Sequence, residues 1–437
     1  MQKFLSFLGF DPGKHSVRVE LLAGLTTFLT MSYILAVNPF ILGETGMDKG
    51  ALFSATVVAA AIATLVMAFY ARLPFALATG MGLNAFFAYT LVITMGYTWQ
   101  QALAAVLFEG IVFILLTLFR VREAIVNAIP INLRYAISVG IGLFIAYIGL
   151  KNGGIIVSSD ATVTTLGPWT AASILAGAGI LLGGILMSLR LRGALFYTII
   201  IITLIGIPFG VTHIPEGFSL ISLPHSMEPI ALKMDFSRFM ALDINYYVVV
   251  FTLLFMDLFD TLGTLIGAST SAGMVDKKTG KIHGLNRALM ADAIGTTAGA
   301  LCGTSTVTTF VESASGVEAG GRTGLTSFIA ALAFLACMFI APIAAIIPPA
   351  ATSSALIYVG ILMLQGLSRI DFNDLDQVAP VFIMLIAMPV SGSIGHGIGL
   401  AMILYTLVKV LSGKGREVSA LTYVISLLFL IKFFWVV

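Results

Sequence analysis

The chain is a succession of apolar runs, each long enough to cross a lipid bilayer as a helix. A helical span needs about 20 mainly apolar residues. Because 59% of the 437 residues are hydrophobic and only 10% are charged, the sequence predicts an all-α polytopic membrane protein rather than a soluble domain. Hydropathy predicts fourteen segments, seven on each side of a polar stretch at 211–244, and they lie at 19–42, 51–70, 75–93, 100–119, 135–150, 170–189, 194–211, 245–270, 285–301, 304–320, 325–347, 353–367, 377–391 and 395–411.

The basic residues predict how these segments are oriented in the cell membrane. With the N-terminus placed in the cytoplasm, eighteen of the 23 lysines and arginines fall on the cytoplasmic side and four fall outside, as the positive-inside rule requires. The stretch 211–244 then faces the outside. A last apolar run, Val418–Val437, is either a fifteenth span or a helix at the membrane interface, and both alternatives stay open.

An odd number of segments in each half turns the second half over, so the sequence predicts a seven-plus-seven inverted repeat. The third segment of each half is rich in glycine and looks broken, at Ala76–Phe87 and at Cys302–Gly324. The matching positions favour a binding site over the alternative that Gly80 and Gly82 only permit close helix packing.

The stretch Cys302–Gly324 is too polar to cross the membrane as an ordinary helix. Non-helical backbone at membrane depth persists where it is buried in protein or lines a wet cavity. The β-branched residues of Thr304–Thr309 predict a short extended piece, and a half-helix from about Phe310 puts Glu312 in its first turn, where the helix dipole favours a carboxylate. A polar surface loop is the alternative. Broken segments of this kind build the substrate site of many transporters.

Two carboxyl groups, Asp257 and Asp260, lie in the middle of the eighth segment. Their spacing of three residues puts both on one face of the helix, and Thr261 and Thr264 extend that face. Each charge costs about 2.5–3.5 kcal/mol at mid-bilayer, so such residues are usually functional. A buried ion pair is the alternative, which is weakened because the sequence predicts no basic residue inside a span.

Further polar residues are predicted inside the membrane. Asn84 offers a donor and an acceptor to a ligand, or a hydrogen bond to a neighbouring helix. For Glu109 and Asp292 a structural or coupling role is as well supported as binding. His396 is interpreted as an interfacial residue, and Arg322 as a cytoplasmic anchor.

The candidate residues are mostly acceptors, which predicts a neutral or cationic ligand rich in N–H donors, such as a planar heterocycle. Removal from water favours the protonated form of a carboxyl group, which is the physical basis of proton coupling. Neither a disulfide nor a metal cluster is expected from the two cysteines. No cofactor, no enzymatic activity and no nucleic-acid partner are expected, because the chain has no nucleophile–base–metal set and a net charge of only +2.

Three stretches resemble the AzgA-like purine permeases of the nucleobase–cation symporter-2 group. They are ATGMGLNAFFAYT (Ala78–Thr90), FMDLFDTLGTLIGAS (Phe255–Ser269) and GTSTVTTFVESASGVEAGGRTGLTS (Gly303–Ser327). The resemblance implies a uracil-transporter-like fold with short antiparallel strands in segments 3 and 10. It also implies a core domain formed by 1–133 and 245–347, a gate domain formed by 134–211 and 348–437, and an extracytoplasmic loop at 212–244.

The resemblance implies proton symport of adenine, guanine or hypoxanthine, with guanine and hypoxanthine favoured, and movement of the core against the gate. A homodimer in membrane lipid is possible on this fold. The alternative is a facilitative channel or an anion exchanger on the same fold, which needs a positive residue or a bare helix dipole at the site. Substrate-binding groups map to Gly82, Asn84, Asp257, Asp260 and Glu312, with Thr304 and Ser305 beside them, and proton-coupling groups to Asp257, Asp260 and Glu312.

Overall fold

A computed structural model describes residues 2–119, 130–160, 162–215, 217–271 and 284–435. The stretches 120–129 and 272–283 hold five of the basic residues used above to predict orientation, and they lie outside the described residues.

The described chain is mainly helical, and its helices follow the predicted segments closely. The α-helices are α1 (Gln2–Phe7), α2 (Val17–Met31), α3 (Ile34–Gly43), α4 (Lys49–Val66), α5 (Met81–Ala85), α6 (Trp99–Leu118), α7 (Ile131–Asn152), α8 (Ala171–Ser188), α9 (Ala194–Gly206), α10 (Ser237–Met240), α11 (Ile244–Ser271), α12 (Leu285–Cys302), α13 (Ser313–Glu318), α14 (Gly324–Ala336), α15 (Ala341–Ala345), α16 (Pro349–Met363), α17 (Leu375–Ser391), α18 (Ile394–Leu411) and α19 (Ala420–Trp435). Short π-helical or 3₁₀ segments continue several of them, at Met67–Ala71, Phe86–Thr94, Cys337–Ile340, Leu364–Arg369 and Gly415–Glu417.

Length and composition support a multi-pass membrane protein. Within the described residues, eight helices are long and apolar enough to cross a membrane, and five shorter apolar helices accompany them.

Local capping fixes where several helices begin. Thr98 and Thr170 each form a reciprocal capping box with the third residue of the helix that follows, which satisfies backbone N–H groups that the helix leaves unpaired.

The two extended pieces predicted in segments 3 and 10 are present and pair with each other. Strand β1 (Leu77–Thr79) runs antiparallel to β4 (Val307–Thr309), with Ala78 opposite Thr308. All six residues are buried, so the polar backbone of both broken segments is satisfied inside the protein rather than in lipid. A second antiparallel pair, β2 (Ile156–Ser159) with β3 (Val163–Leu166), was not predicted from the sequence.

The run after residue 418 forms helix α19, which lies lengthwise and antiparallel against α18. Ser426 contacts Thr406 at 2.6 Å between hydroxyl oxygens, and the ring of Phe429 packs where Gly399 leaves room for it. Helix α19 therefore runs along the length of α18, the last predicted span, rather than across one of its ends.

The polar stretch 211–244 is hydrogen-bonded to the ends of helices α6 and α12. The positive-inside rule predicts that these ends lie outside the cell. The amide of Leu232 donates to the carbonyl of Leu301 at 3.0 Å, and that of Asp235 to Gln100 at 3.1 Å. The Asp235 carboxylate accepts from the amide and hydroxyl of Ser237, and these hydrogen bonds lower the pKa of Asp235 below its ordinary value.

Candidate substrate site

The segment TSTVTT (Thr304–Thr309) joins five helices through its side chains. Thr or Ser at five of its six positions supplies hydroxyl groups that can both donate and accept. Thr304 accepts from Asn38 of α3, Ser305 donates to Asn84 of α5, Thr306 donates to Glu109 of α6, Thr308 shares a hydrogen bond with Thr261 of α11, and Thr309 donates to Asp292 of α12. The broken tenth segment is therefore a buried hub of the molecule, and the alternative of a polar surface loop is wrong.

A cavity of about 210 Å³ opens beside this hub. Pockets for drug-sized ligands are usually about 300–1,000 Å³, so this one suits a smaller, compact molecule. One wall comes from segments of the predicted core and the other from segments of the predicted gate. The core side contributes Tyr33, Gly80, Met81, Gly82, Asp260, Thr264, Thr308, Thr309, Phe310, Val311 and Glu312, and the gate side contributes Arg134, Tyr135, Ser138, Val359, Leu362, Met363, Gln365, Gly366 and Arg369.

Glu312 lies at the cavity wall and precedes the half-helix α13, which begins at Ser313 rather than at Phe310. Its side chain is buried, with 9% of its surface exposed. The hydroxyl of Tyr33 donates to Glu312 Oε1 at 2.7 Å. A hydrogen bond to a charged acceptor is stronger than one between neutral groups, so Tyr33 fixes one carboxyl oxygen.

Asp260 is the second carboxyl group on the cavity wall, close to Gly80. Within the described part of the chain, its carboxyl group forms neither a hydrogen bond nor an ion pair. A carboxylate can accept at two oxygens, and this one faces space that a small molecule could enter.

Asp257 lies behind the cavity wall, although its spacing from Asp260 predicted a shared face. It is fully buried and is not a lining residue. Thr261 Oγ1 lies 3.1 Å from Asp257 Oδ1, 3.0 Å from either carboxyl oxygen of Asp292 and 2.7 Å from Thr308 Oγ1. A hydroxyl carries one proton, so Thr261 can donate to only one of the two aspartates. The other short contact is a hydrogen bond only when that aspartate itself carries a proton.

Four other predicted site residues do not all reach the cavity. Asn84, Thr304 and Ser305 are fully buried behind it and bond to one another or to neighbouring helices. Gly82 does line the cavity, and it also faces α7, where a Cβ atom would lie 2.5 Å from Ile141 Cγ2. A side chain there would therefore collide with the opposite wall.

Tyr33, Arg134 and Arg369 line the cavity but were not predicted as site residues from the sequence. The arginines were assigned to cytoplasmic loops, whereas α7 begins at Ile131 and the segment Leu364–Arg369 continues α16. No ion pair links either arginine to Asp260 or Glu312 among the described residues. Tyr33 could have been predicted as a site residue, because it is a polar aromatic residue inside the first apolar run.

Arg322 closes the other end of the half-helix. Its guanidinium donates to the carbonyl oxygens of Val317 at 2.5 Å and Gly321 at 2.7 Å, which complements the negative end of the helix dipole. The buried carboxylate of Glu20 accepts from the amides of Arg322 and Thr323. The half-helix that positions Glu312 is thus held at its C-terminal end.

Comparisons with known proteins identify the kind of molecule that contains this cavity. The model of the Permease family Xan_ur_permease matches residues 18–400. Guanine/hypoxanthine permease PbuO of Bacillus subtilis is 42% identical over 425 residues, covering 96% of this chain and 98% of that protein. Adenine permease AdeP of Escherichia coli is 41% identical over 418 residues, covering 95% and 93%.

A solved structure shows the same fold at low sequence identity. The transmembrane domain of the cyanobacterium bicarbonate transporter BicA superposes with a TM-score of 0.65 at 18% identity, covering 89% of this chain and 98% of that one. The family match and the two permeases together establish the assignment that the three motifs suggested. The chain belongs to the Permease family of xanthine and uracil permeases, the nucleobase–cation symporter-2 group.

Proposed function

We propose that this protein carries purine nucleobases into the cell together with protons. The observation that carries the proposal is the cavity with two carboxyl groups on one wall, at Asp260 and Glu312. A purine is a compact ring system with N–H donors at its edge, which suits a small cavity that offers acceptors. Relatives named as an adenine permease and a guanine/hypoxanthine permease support the substrate class.

Asp260 and Glu312 bind the N–H groups of the base. Tyr33 holds one oxygen of Glu312 and leaves the other able to accept from the ligand. Asn84 orients the site indirectly, because its amide oxygen accepts from Ser305 within the hub. Gly82 keeps the two walls close enough for a planar ring to contact both.

The coupling proton is held at the buried aspartates behind the wall. Thr308 lines the cavity and is hydrogen-bonded to Thr261, which contacts both Asp257 and Asp292. This chain of oxygen atoms connects the substrate space to a pair of carboxyl groups that share one hydroxyl proton. Protonation of the aspartate pair removes a buried charge. The free-energy cost of moving the core segments that carry the pair is therefore lower.

Transport proceeds as the core, formed by 1–133 and 245–347, moves against the gate, formed by 134–211 and 348–437. The cavity between the two sets of segments supports this movement. Contacts between the two would have to change during it, among them Gly82 against Ile141 and the hydrogen bond of 3.3 Å from Asn152 Nδ2 to the hydroxyl of Tyr89.

Uptake of labelled hypoxanthine by cells that lack their own purine permeases tests the proposal. Asp260→Asn and Glu312→Gln should each reduce accumulation to background with unchanged protein in the membrane. Glu318→Gln is the matched control, because Glu318 lies exposed on the same half-helix. Wild-type accumulation in both site variants would contradict the proposed site.

A facilitative channel or an anion exchanger is the second candidate, because Arg134 and Arg369 supply positive groups at the cavity. A protonophore separates the candidates. Loss of accumulation supports proton symport, whereas unchanged accumulation supports a facilitator or exchanger. Inhibition of hypoxanthine uptake by excess bicarbonate or sulfate would favour the exchanger.

A further inference from the structure

The two walls of the cavity carry ionisable side chains of opposite kind. The core wall presents Asp260 and Glu312, and the gate wall presents Arg134 and Arg369. In the described part of the chain no ion pair joins the walls. A ligand in the cavity therefore lies between a wall of acceptors and a wall of donors.

The arginines are available for a ligand. Arg134 Nε is buried and has no hydrogen-bond partner among the described residues. Buried polar groups in folded proteins are nearly always paired, so each exception calls for an explanation. Arg369 lies over the ring of Tyr135, 5.9 Å from its centroid, a contact that leaves the N–H groups at the edge of the guanidinium free to donate.

Purines differ in the groups that they present to such walls. Guanine has two adjacent acceptors, O6 and N7, on one edge, and arginine commonly binds this edge through two parallel hydrogen bonds. Adenine has the N7 acceptor but carries an amino donor in place of O6. Hypoxanthine shares the O6 and N7 acceptors with guanine. Both oxopurines also carry an N–H group at position 1, which can donate a hydrogen bond to a carboxylate.

We propose that Arg134 and Arg369 are specificity-determining residues that bind the O6 and N7 edge of an oxopurine, while Asp260 and Glu312 bind its N1–H edge, which adjoins O6. This inference rests on the proposed function and selects guanine and hypoxanthine over adenine. Adenine in the same orientation places its amino donor against a guanidinium and its unprotonated N1 against a carboxylate. Both contacts replace a hydrogen bond with an unpaired polar group at the ligand, which is how polar sites reject close analogues.

Inhibition of labelled hypoxanthine uptake tests the inference on the wild-type protein. Unlabelled hypoxanthine and guanine should inhibit at concentrations about 5- to 150-fold lower than adenine, the range expected for one bidentate arginine contact. Unsubstituted purine, which lacks O6, and 7-deazahypoxanthine, which lacks N7, should each inhibit more weakly than hypoxanthine. Equal inhibition by hypoxanthine, purine and 7-deazahypoxanthine, or stronger inhibition by adenine, would overturn the inference.

The arginine variants test which residues carry the preference. Arg134→Gln and Arg369→Gln should weaken inhibition by hypoxanthine at least fivefold and change inhibition by adenine less than twofold. Arg134→Lys retains the charge but not the planar fork, so it should restore the preference only in part. Arg416→Gln is the control, because Arg416 is exposed outside the cavity.

Equal weakening of adenine and hypoxanthine in the arginine variants would mean that the arginines only shape the cavity, which would overturn the inference. If a variant does not reach the membrane, the analogue series on the wild-type protein still decides. Absence of uptake for every purine would instead contradict the proposed function, so the two failures are distinguishable.

Discussion

Substitution of Gly82 by alanine should disable transport by wedging the two cavity walls apart. A Cβ atom at position 82 would lie 2.5 Å from Ile141 Cγ2, whereas carbon atoms in contact prefer about 3.5–4.0 Å. The walls must therefore separate locally by roughly 1–1.5 Å. Overpacking of this kind costs about 1–3 kcal/mol, which corresponds to a change of about 5- to 150-fold in the population of the closely packed arrangement.

A double variant separates this packing role from direct contact between Gly82 and the substrate. Hypoxanthine uptake by Gly82→Ala should fall at least fivefold at unchanged protein level. Gly82→Ala combined with Ile141→Ala should recover much of the loss, because the second change removes the methyl group that collides. Ile141→Ala alone is the control. If the double variant is as inactive as Gly82→Ala, the packing argument is refuted and Gly82 contacts the substrate instead.

Three further predictions concern the hydrogen bonds around the site and the outer loop. Tyr33→Phe removes a bond to the Glu312 carboxylate worth about 1.5–3 kcal/mol, so hypoxanthine affinity should fall about tenfold or more in a binding assay, and unchanged affinity would contradict that role. Thr261→Val breaks the chain of oxygen atoms between the cavity and the buried aspartates. Proton-driven accumulation should then be lost while exchange of labelled for unlabelled base persists, and equal loss of both would contradict a role of Thr261 in proton coupling. Hydrogen bonds from Ser237 lower the pKa of Asp235, so the folded state favours the carboxylate, which also accepts from Gln101 of α6 at 3.2 Å. This attachment of the loop to α6 should be complete above the ordinary pKa of 3.8 and should be lost as pH falls through the lowered pKa. Hydrogen exchange of the loop measures it.

The sequence predicted the course of the chain better than the faces of its helices. Apolar runs located the helices, because the bilayer sets their length, and the β-branched residues of Thr304–Thr309 predicted strand β4. Glu312 was found because a carboxylate beside a broken segment is conspicuous in an apolar chain. The structure places it at the cavity wall, immediately before the half-helix rather than in its first turn.

Side-chain direction was the part that local patterns could not supply. Residues three apart on a helix differ by about 60° around its axis, and this is enough to put Asp260 on the cavity and Asp257 against Thr261. Arg134 was assigned to a loop because a charge near a segment end normally lies outside the membrane. Its place on the cavity wall depends on how α7 packs against the core segments, which is a tertiary property.

Binding of hypoxanthine to the purified protein, measured by calorimetry, tests the central claim most directly, since it needs neither a proton gradient nor intact cells. We expect the wild-type protein and Glu318→Gln to bind the base with the same affinity, and Asp260→Asn and Glu312→Gln to bind at least tenfold more weakly. Equal affinity in all four proteins would show that the carboxyl groups on the cavity wall do not hold the substrate.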